Sequence, residues 1–201
     1  MSKIIELVNG NALEHGISMF LDHGGPSGSQ MHVGGQAATK TAVTTLTNSN
    51  TQTLLDSCAI PANSLVAGST IRVKSMGIAT ATNSTDTLQI TLGLGPTATA
   101  LASREEILAT DAVDQVNNDV FYIDAVIQVR TVGTGGTAVA MVQYQDPDAV
   151  ATTSKRILKA SFTLNTTVAN TLAVSGQWSV ANAGNSMRSD LFVVDIVNPS
   201  T

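Results

Sequence analysis

The chain has 201 residues, a formal net charge of −5 and 43% apolar residues, of which few are aromatic. This length allows one domain with a sizeable, mostly aliphatic core. Its ten Lys and Arg residues are scattered, whereas a surface that follows nucleic-acid phosphates needs them clustered, so nucleic-acid binding is not expected. No apolar run approaches the roughly 18 residues of a membrane span, and no signal peptide is predicted because Glu6 interrupts the first apolar residues.

Residues 1–38 differ from the rest and are predicted to form an extended N-terminal arm. Residues 12–21 are compatible with a short helix, and a glycine-rich breaker cluster follows at residues 22–29. Such a segment does not hold a core of its own, so we expect it to become ordered against a partner. The candidate contact residues of the arm are Ile17, Met19, Phe20, Leu21, His23 and Met31.

From residue 41 onward the chain alternates apolar and polar residues between turn clusters, a pattern typical of β-strands. The first predicted strands are residues 41–46, 53–60, 70–82 and 87–94, and the last of these alternates without interruption. Gly77 is predicted to mark a bulge or a bend.

The second half continues this pattern after one excursion. Residues 98–102 are predicted to form a short strand, and residues 103–116 a helical or irregular segment. Further along, Leu158 is expected to face the core with Phe162, and Val180 with Trp178. The remaining predicted strands are residues 121–130, 137–144, 157–164, 171–180 and 191–197.

These elements predict an all-β fold of eight to ten strands in residues 39–201. There is no alternation of strands with helices, and each strand has one apolar face and one face rich in Thr, Asn and Gln. That combination is typical of two antiparallel sheets packed face to face. A jelly-roll sandwich is the preferred topology. An immunoglobulin-like sandwich is the second choice, because the chain lacks its Cys–Trp–Cys spacing.

The sequence predicts neither a metal site nor a catalytic cysteine. His15, His23 and His32 are separated by eight and nine residues, which matches no compact set of metal ligands even with Asp22 added. They are interpreted as polar residues of the arm. Cys58 lies in a predicted strand far from any histidine in the sequence, and we expect it to fill a small space in the core.

The acidic residues are also interpreted without catalysis. Glu105, Glu106, Asp111 and Asp114 could form the carboxylate pair of a glycosidase, but no aromatic platform for a sugar is nearby in the sequence, so a solvated loop is preferred. Residues 146–148 lack the glycine and the trailing glutamate of a calcium loop and are predicted to end a strand. No cofactor is expected.

Several segments resemble virion proteins of tailed bacteriophages. They are AIPANSLVAGSTIRV at residues 59–73, NSTDTL at residues 83–88, NNDVF at residues 117–121 and WSVANAGNS at residues 178–186. The resemblance extends over roughly residues 59–197 as a pattern of strands and turns. It implies a jelly-roll structural protein, such as a capsid cement or decoration protein or the base of a head fibre.

The resemblance also implies partners and a location. The chain would bind the major capsid protein on the exterior of the virion, associate with itself as a homotrimer, and be made in the host cytoplasm without enzymatic activity. The alternative from another class is a carbohydrate- or receptor-binding module of a head or tail fibre. Sugar sites commonly expose aromatic side chains, for which Trp178, Tyr122 and Tyr144 are the candidates, although Trp178 is expected to lie in the core.

Overall fold

The computed structural model describes residues 33–81, 85–114, 118–146 and 154–198. Within these ranges the chain forms twelve strands and one 3-10 turn, Leu101–Ser103. None of the helices in the described ranges is long and apolar enough to cross a membrane. The strands are β1 (Val33–Thr39), β2 (Thr44–Thr47), β3 (Thr53–Ile60), β4 (Thr70–Thr80), β5 (Thr87–Pro96), β6 (Glu105–Ala109), β7 (Val113–Asp114), β8 (Asp119–Thr131), β9 (Thr137–Gln145), β10 (Ser154–Thr163), β11 (Asn170–Trp178) and β12 (Ser186–Asn198).

The strands form two antiparallel sheets in a jelly-roll sandwich, which confirms the predicted fold. The larger sheet has the order β1–β12–β4–β8–β9–β10, and β2 lies end to end with β1 along β12. The smaller sheet has the order β3–β11–β5–β6, and β7 continues β6 along β5. The twelve segments therefore occupy ten strand positions, because one edge of each sheet is interrupted. Hairpin β9–β10 forms one side of the larger sheet and lies near β6, the edge strand of the smaller sheet.

The predicted boundary between the arm and the sandwich falls within β1. This strand pairs with the last strand, from Val33 opposite Asn198 to Thr39 opposite Val193. Residues 1–32, and with them most of the predicted arm, lie outside the described residues.

The core between the sheets is largely aliphatic, as expected from the composition. Trp178 and Phe121 are fully buried, and Phe162 and Phe192 are nearly so. Cys58 is buried at 2% exposure, and burial raises the pKa of its thiol. The prediction that this cysteine fills space in the core is confirmed.

Two predictions for the segment between residues 98 and 116 are wrong. The expected strand at 98–102 is replaced by a turn, and the expected helical or irregular segment contains β6 and β7. β6 completes the edge of the smaller sheet by pairing with β5, where Glu105 lies opposite Leu94. Backbone pairing at a sheet edge thus overrides a local sequence rich in charge, because an edge strand can expose its polar side chains.

Gly77 permits close approach of two strands rather than marking a bulge in its own strand. β4 pairs with β8 without a register shift, whereas β12 is bulged between Ser189 and Leu191, opposite this glycine. A Cβ atom at Gly77 would lie 1.9 Å from the carbonyl oxygen of Arg188. Only glycine leaves room for this backbone.

A buried polar cluster joins the two sheets near the end of β1. The ammonium of Lys40 donates to Asp56 on β3 and, at 2.7 Å, to the hydroxyl of Thr44 on β2. The hydroxyl of Ser189 on β12 donates to the second oxygen of Asp56. The side chains of Lys40 and Asp56 are only 6% and 7% exposed. The charges are therefore paired away from water, which makes each side chain dependent on the other.

Candidate interaction surface

The outer face of the larger sheet carries an ordered row of apolar side chains. β8 buries each odd-numbered residue from Phe121 to Val129, so its even-numbered residues point to the other face. On that face Val126 lies opposite Met141 of β9, and Met141 lies opposite Leu158 of β10. Three neighbouring strands thus present aliphatic side chains at the same level of the sheet.

These side chains are exposed to an unusual degree. Leu158 is 73% exposed and is the most exposed large apolar side chain in the described part of the chain, and Met141 is 55% exposed. Together with Val139 and Val126 they line a shallow groove of about 270 Å³. We call Val126, Val139, Met141 and Leu158 the aliphatic patch. Full burial of one exposed leucine contributes about 1.5–3 kcal/mol. A partner that covered the aliphatic patch would therefore gain binding free energy from the hydrophobic effect.

Leu158 was expected in the core, and that prediction is wrong because β10 contains a bulge. Lys159 pairs with Ala140 and Phe162 pairs with Ala138, so two residues of β10 face one residue of β9. The extra residue reverses which side chains point inward. Phe162, after the bulge, is buried, whereas Leu158, before it, points to the outside.

Polar and charged groups flank the aliphatic patch on β4 and β8. The ammonium of Lys74 lies 3.2 Å from the carboxylate of Asp124, which also accepts a 2.8 Å hydrogen bond from the hydroxyl of Tyr122. The bond to Asp124 raises the pKa of Lys74, while partial burial and then the same carboxylate raise the pKa of Tyr122. Arg72 and Asp195 are partners on adjacent strands. Most charges on this face are therefore near an opposite charge.

The inner side of β10 is held to the smaller sheet by two lysines. Lys155 lies 2.8 Å from the carboxylates of both Asp111 and Asp146, and Lys159 lies 2.8 Å from Glu105. The hydrogen bond to Asp111, followed by that to Asp146, raises the pKa of Lys155. Glu105 and Asp111 thus serve as partners of lysines on the side of the sandwich where the edge strands β6 and β10 lie.

The predicted contact residues of the arm are not among the residues that the structure describes. The same holds for the three histidines and for the turn after Asp146. In the described part of the chain no three His, Cys, Asp or Glu side chains come together as metal ligands would. The residues in question are Ile17, Met19, Phe20, Leu21, His23 and Met31.

A second, more polar depression lies at one end of the smaller sheet. Gln89 and Gln177 are cross-strand partners there, and the amide of Gln177 donates to the carbonyl of Asn50 at 3.0 Å. The depression has a volume of about 240 Å³ and is lined also by the fully buried Trp178. Val180, expected to face inward, is 49% exposed because β11 ends at Trp178.

The aromatic side chains do not form an exposed sugar platform in the described residues. Trp178 is 0% exposed and Tyr144 is 4% exposed. Tyr122 is partly exposed, but its hydroxyl is bound to Asp124. The expected core position of Trp178 is confirmed.

Sequence reasoning missed the aliphatic patch, although a signal was present. In residues 121–130 every second residue is expected to be polar and to face solvent, but Val126 occupies one of these positions. In residues 137–144 Val139 and Met141 occupy such positions. Strands that carry apolar residues in both phases are typical of sheets that are covered on both faces. The alternation was interpreted only as one buried face and one solvated face.

Comparison with known proteins assigns no family to the chain. No family model matches the chain, and no curated protein matches it. Among solved structures, lectin II from Ulex europaeus, solved in complex with galactose, has 13% identity and a TM-score of 0.37, over 84% of this chain and 92% of the lectin. The infectious bursal disease virus VP2 subviral particle has 11% identity and a TM-score of 0.29, over 90% of this chain and 37% of VP2. The likeness of this two-sheet β-sandwich to both structures is distant.

Proposed function

We propose that this chain is a non-enzymatic structural protein of a phage virion, which binds the assembled head as a cement or decoration protein. The observation that carries the proposal is the agreement between the resembling segments and the fold. Residues 59–73 contain the end of β3, a turn and the start of β4, and residues 178–186 connect β11 to β12. These two segments are thus connections between successive strands of a jelly roll, a fold used in viral capsids.

The proposed partners are the major capsid protein and further copies of this chain, assembled as a homotrimer on the capsid exterior after synthesis in the host cytoplasm. A protein that binds only the assembled shell stabilises that shell by mass action. The proposed capsid contact is the arm, whose apolar residues Phe20 and Leu21 would be its anchors. The chain would have no catalytic role and need no cofactor.

The test is co-sedimentation of the full chain with capsids that lack it. The double variant Phe20→Asp and Leu21→Asp should bind capsids at least tenfold more weakly, because two apolar anchors are lost and two charges are added. The matched control is Ser27→Asp with Ser29→Asp, which adds the same charge to the arm without removing an apolar side chain. Full binding by the Phe20 and Leu21 variant would contradict the arm contact, and no binding by the unaltered chain would contradict the proposed function.

The second candidate function is carbohydrate or receptor binding by a head or tail fibre. The polar depression at Gln89, Gln177 and Asn50 favours it, because amide groups at a cleft donate and accept hydrogen bonds as sugar hydroxyls do. Glycan-array binding that is lost in Gln89→Ala would favour this function over the first. An array without binding would leave the virion structural role as the better proposal.

A further inference from the structure

We infer that the aliphatic patch is covered by a second copy of this chain, so that the outer face of β8, β9 and β10 is the contact between copies. The inference rests on the self-association proposed above and names the surface that makes it. Leu158 and Met141 are 73% and 55% exposed and lie side by side in one cross-strand row with Val126. Contiguous exposed apolar surface of this kind is typical of protein–protein contacts.

The face is large enough for such a contact. Five strands, from β10 to β12, lie side by side in the larger sheet, and at about 4.8 Å spacing they extend over roughly 24 Å. Four outward-pointing rows at about 6.7 Å each give roughly 27 Å in the other direction. A flat contact over this face would cover on the order of 650 Å² per copy, or about 1,300 Å² in total, which falls within the range of stable interfaces.

The charges of the face suit a copy of the same chain. The chain as a whole has a net charge of −5, so two copies repel each other at most orientations. The outward residues of this face, in contrast, include three cations, Arg72, Lys74 and Arg156, and two carboxylates, Asp124 and Asp195. Contact through this face avoids the acidic repulsion, and its charges can pair with those of the other copy.

The edge of the same sheet disfavours the other obvious mode of association, which is pairing of edge strands. β10 has cationic residues at Lys155, Arg156 and Lys159 and carries a bulge. Lysines and bulges on an edge strand are devices that oppose strand addition. Contact over the face, rather than along the edge, is therefore the geometry that this sheet allows.

The test combines a measured mass with a cross-link from the centre of the patch. Light scattering of the full chain should give a dimer or trimer. Leu158→Glu should raise the dissociation constant at least tenfold, because a charge replaces a side chain that becomes buried in the contact. Met141→Glu should do the same from the neighbouring strand. The matched control is Leu54→Glu on β3, where a leucine that is 46% exposed lies on the other sheet.

A photo-reactive amino acid at position 158 identifies what covers the patch. Cross-links from position 158 to strands β8, β9 or β10 of a second copy would support the inference. Cross-links within one chain to residues 1–32 would overturn it, since the arm would then be the occupant. A monomer, or an oligomer that Leu158→Glu and Met141→Glu leave intact, would overturn it as well. A monomer that still binds capsids would overturn the inference and the proposed trimer, while the proposed capsid binding would stand.

Discussion

The buried ion pair between Lys40 and Asp56 gives the sharpest test of what holds the two sheets together. Replacing Lys40 by Met keeps the length of the side chain but leaves the carboxylate of Asp56 in the interior with the hydroxyl of Ser189 as its remaining partner among the bonds described above. Removing one member of a buried pair costs about 3–5 kcal/mol. For a domain of this size that loss lowers Tm by roughly 10 °C.

The double variant separates pairing from packing. Asp56→Asn removes the charge, and its amide oxygen still accepts the hydrogen bond from Ser189. With both Lys40→Met and Asp56→Asn, no charge remains unpaired at this position, so the free energy of unfolding should lie within about 1.5 kcal/mol of the unaltered chain. The two single variants should therefore be less stable than the double variant, with a coupling energy of at least about 2 kcal/mol.

The assay is equilibrium unfolding in urea at pH 7, followed by the fluorescence of Trp178, which is fully buried in the folded chain. An unchanged dependence on urea concentration would show that the change lies in stability rather than in compactness. The reasoning fails if Lys40→Met is within 1 kcal/mol of the unaltered chain. It fails equally if the double variant is as unstable as the sum of the two single variants.

Two further predictions concern the hairpin β8–β9 and alkaline pH. Gly136→Ala should cost about 2–4 kcal/mol in urea unfolding, because its Cβ atom would lie 2.5 Å from the carbonyl oxygen of Leu164, whereas Gly135→Ala, with open space around it, should change stability by less than about 0.5 kcal/mol. Equal losses of stability in Gly136→Ala and Gly135→Ala would contradict the predicted clash at Gly136. Stability should also fall above about pH 10. The pKa of Lys155 is raised in the folded chain, so its ion pairs stabilise below the ordinary lysine pKa and are lost as pH rises. The pKa of Tyr144 is raised mainly by burial, so its phenol ionises first in the unfolded chain, which lowers stability in the same direction. Between pH 9 and 11 the Tyr144→Phe variant should lose less thermal stability than the unaltered chain. An identical loss in both would rule out the phenol of Tyr144 as a cause of the fall in stability.

The fold was predictable because alternation of apolar and polar residues is a local signal that tertiary contacts here reinforce. Residues 53–60 are predicted and observed with the same bounds, and the strands at residues 87–94 and 121–130 differ by two residues or fewer at each end. The second and third of these strands, β5 and β8, have neighbours on both sides in their sheets, whereas β3 lies at the edge of the smaller sheet and pairs with β11. The side chains of β5 and β8 therefore suit a paired position along the whole length, and in β3 the alternation follows from one face packing on the core.

What could not be predicted depends on pairing between distant residues. The bulge that turns Leu158 outward is defined by the register of β10 against β9, and the fully buried contact of Gly77 depends on a bulge in β12 more than 110 residues away in the chain. Neither register is visible in a local pattern. The local pattern shows apolar residues at the outward positions of Val126 and Met141, but their alignment with Leu158 across three strands depends on the same register.

The pairing of the first described strand with the last has a mechanical consequence. Val33 and Asn198 are cross-strand partners, so the chain enters and leaves the sheet at the same corner. A force applied through the residues on either side would load the hydrogen bonds between β1 and β12 one pair at a time, because antiparallel bonds lie perpendicular to the strands. The hydrogen bonds between β1 and β12 would break in sequence from this corner rather than all at once. An anchor at one terminus and a load at the other would thus strain the edge of the sheet first, and the interior strands β4 and β8 only after β1 has detached.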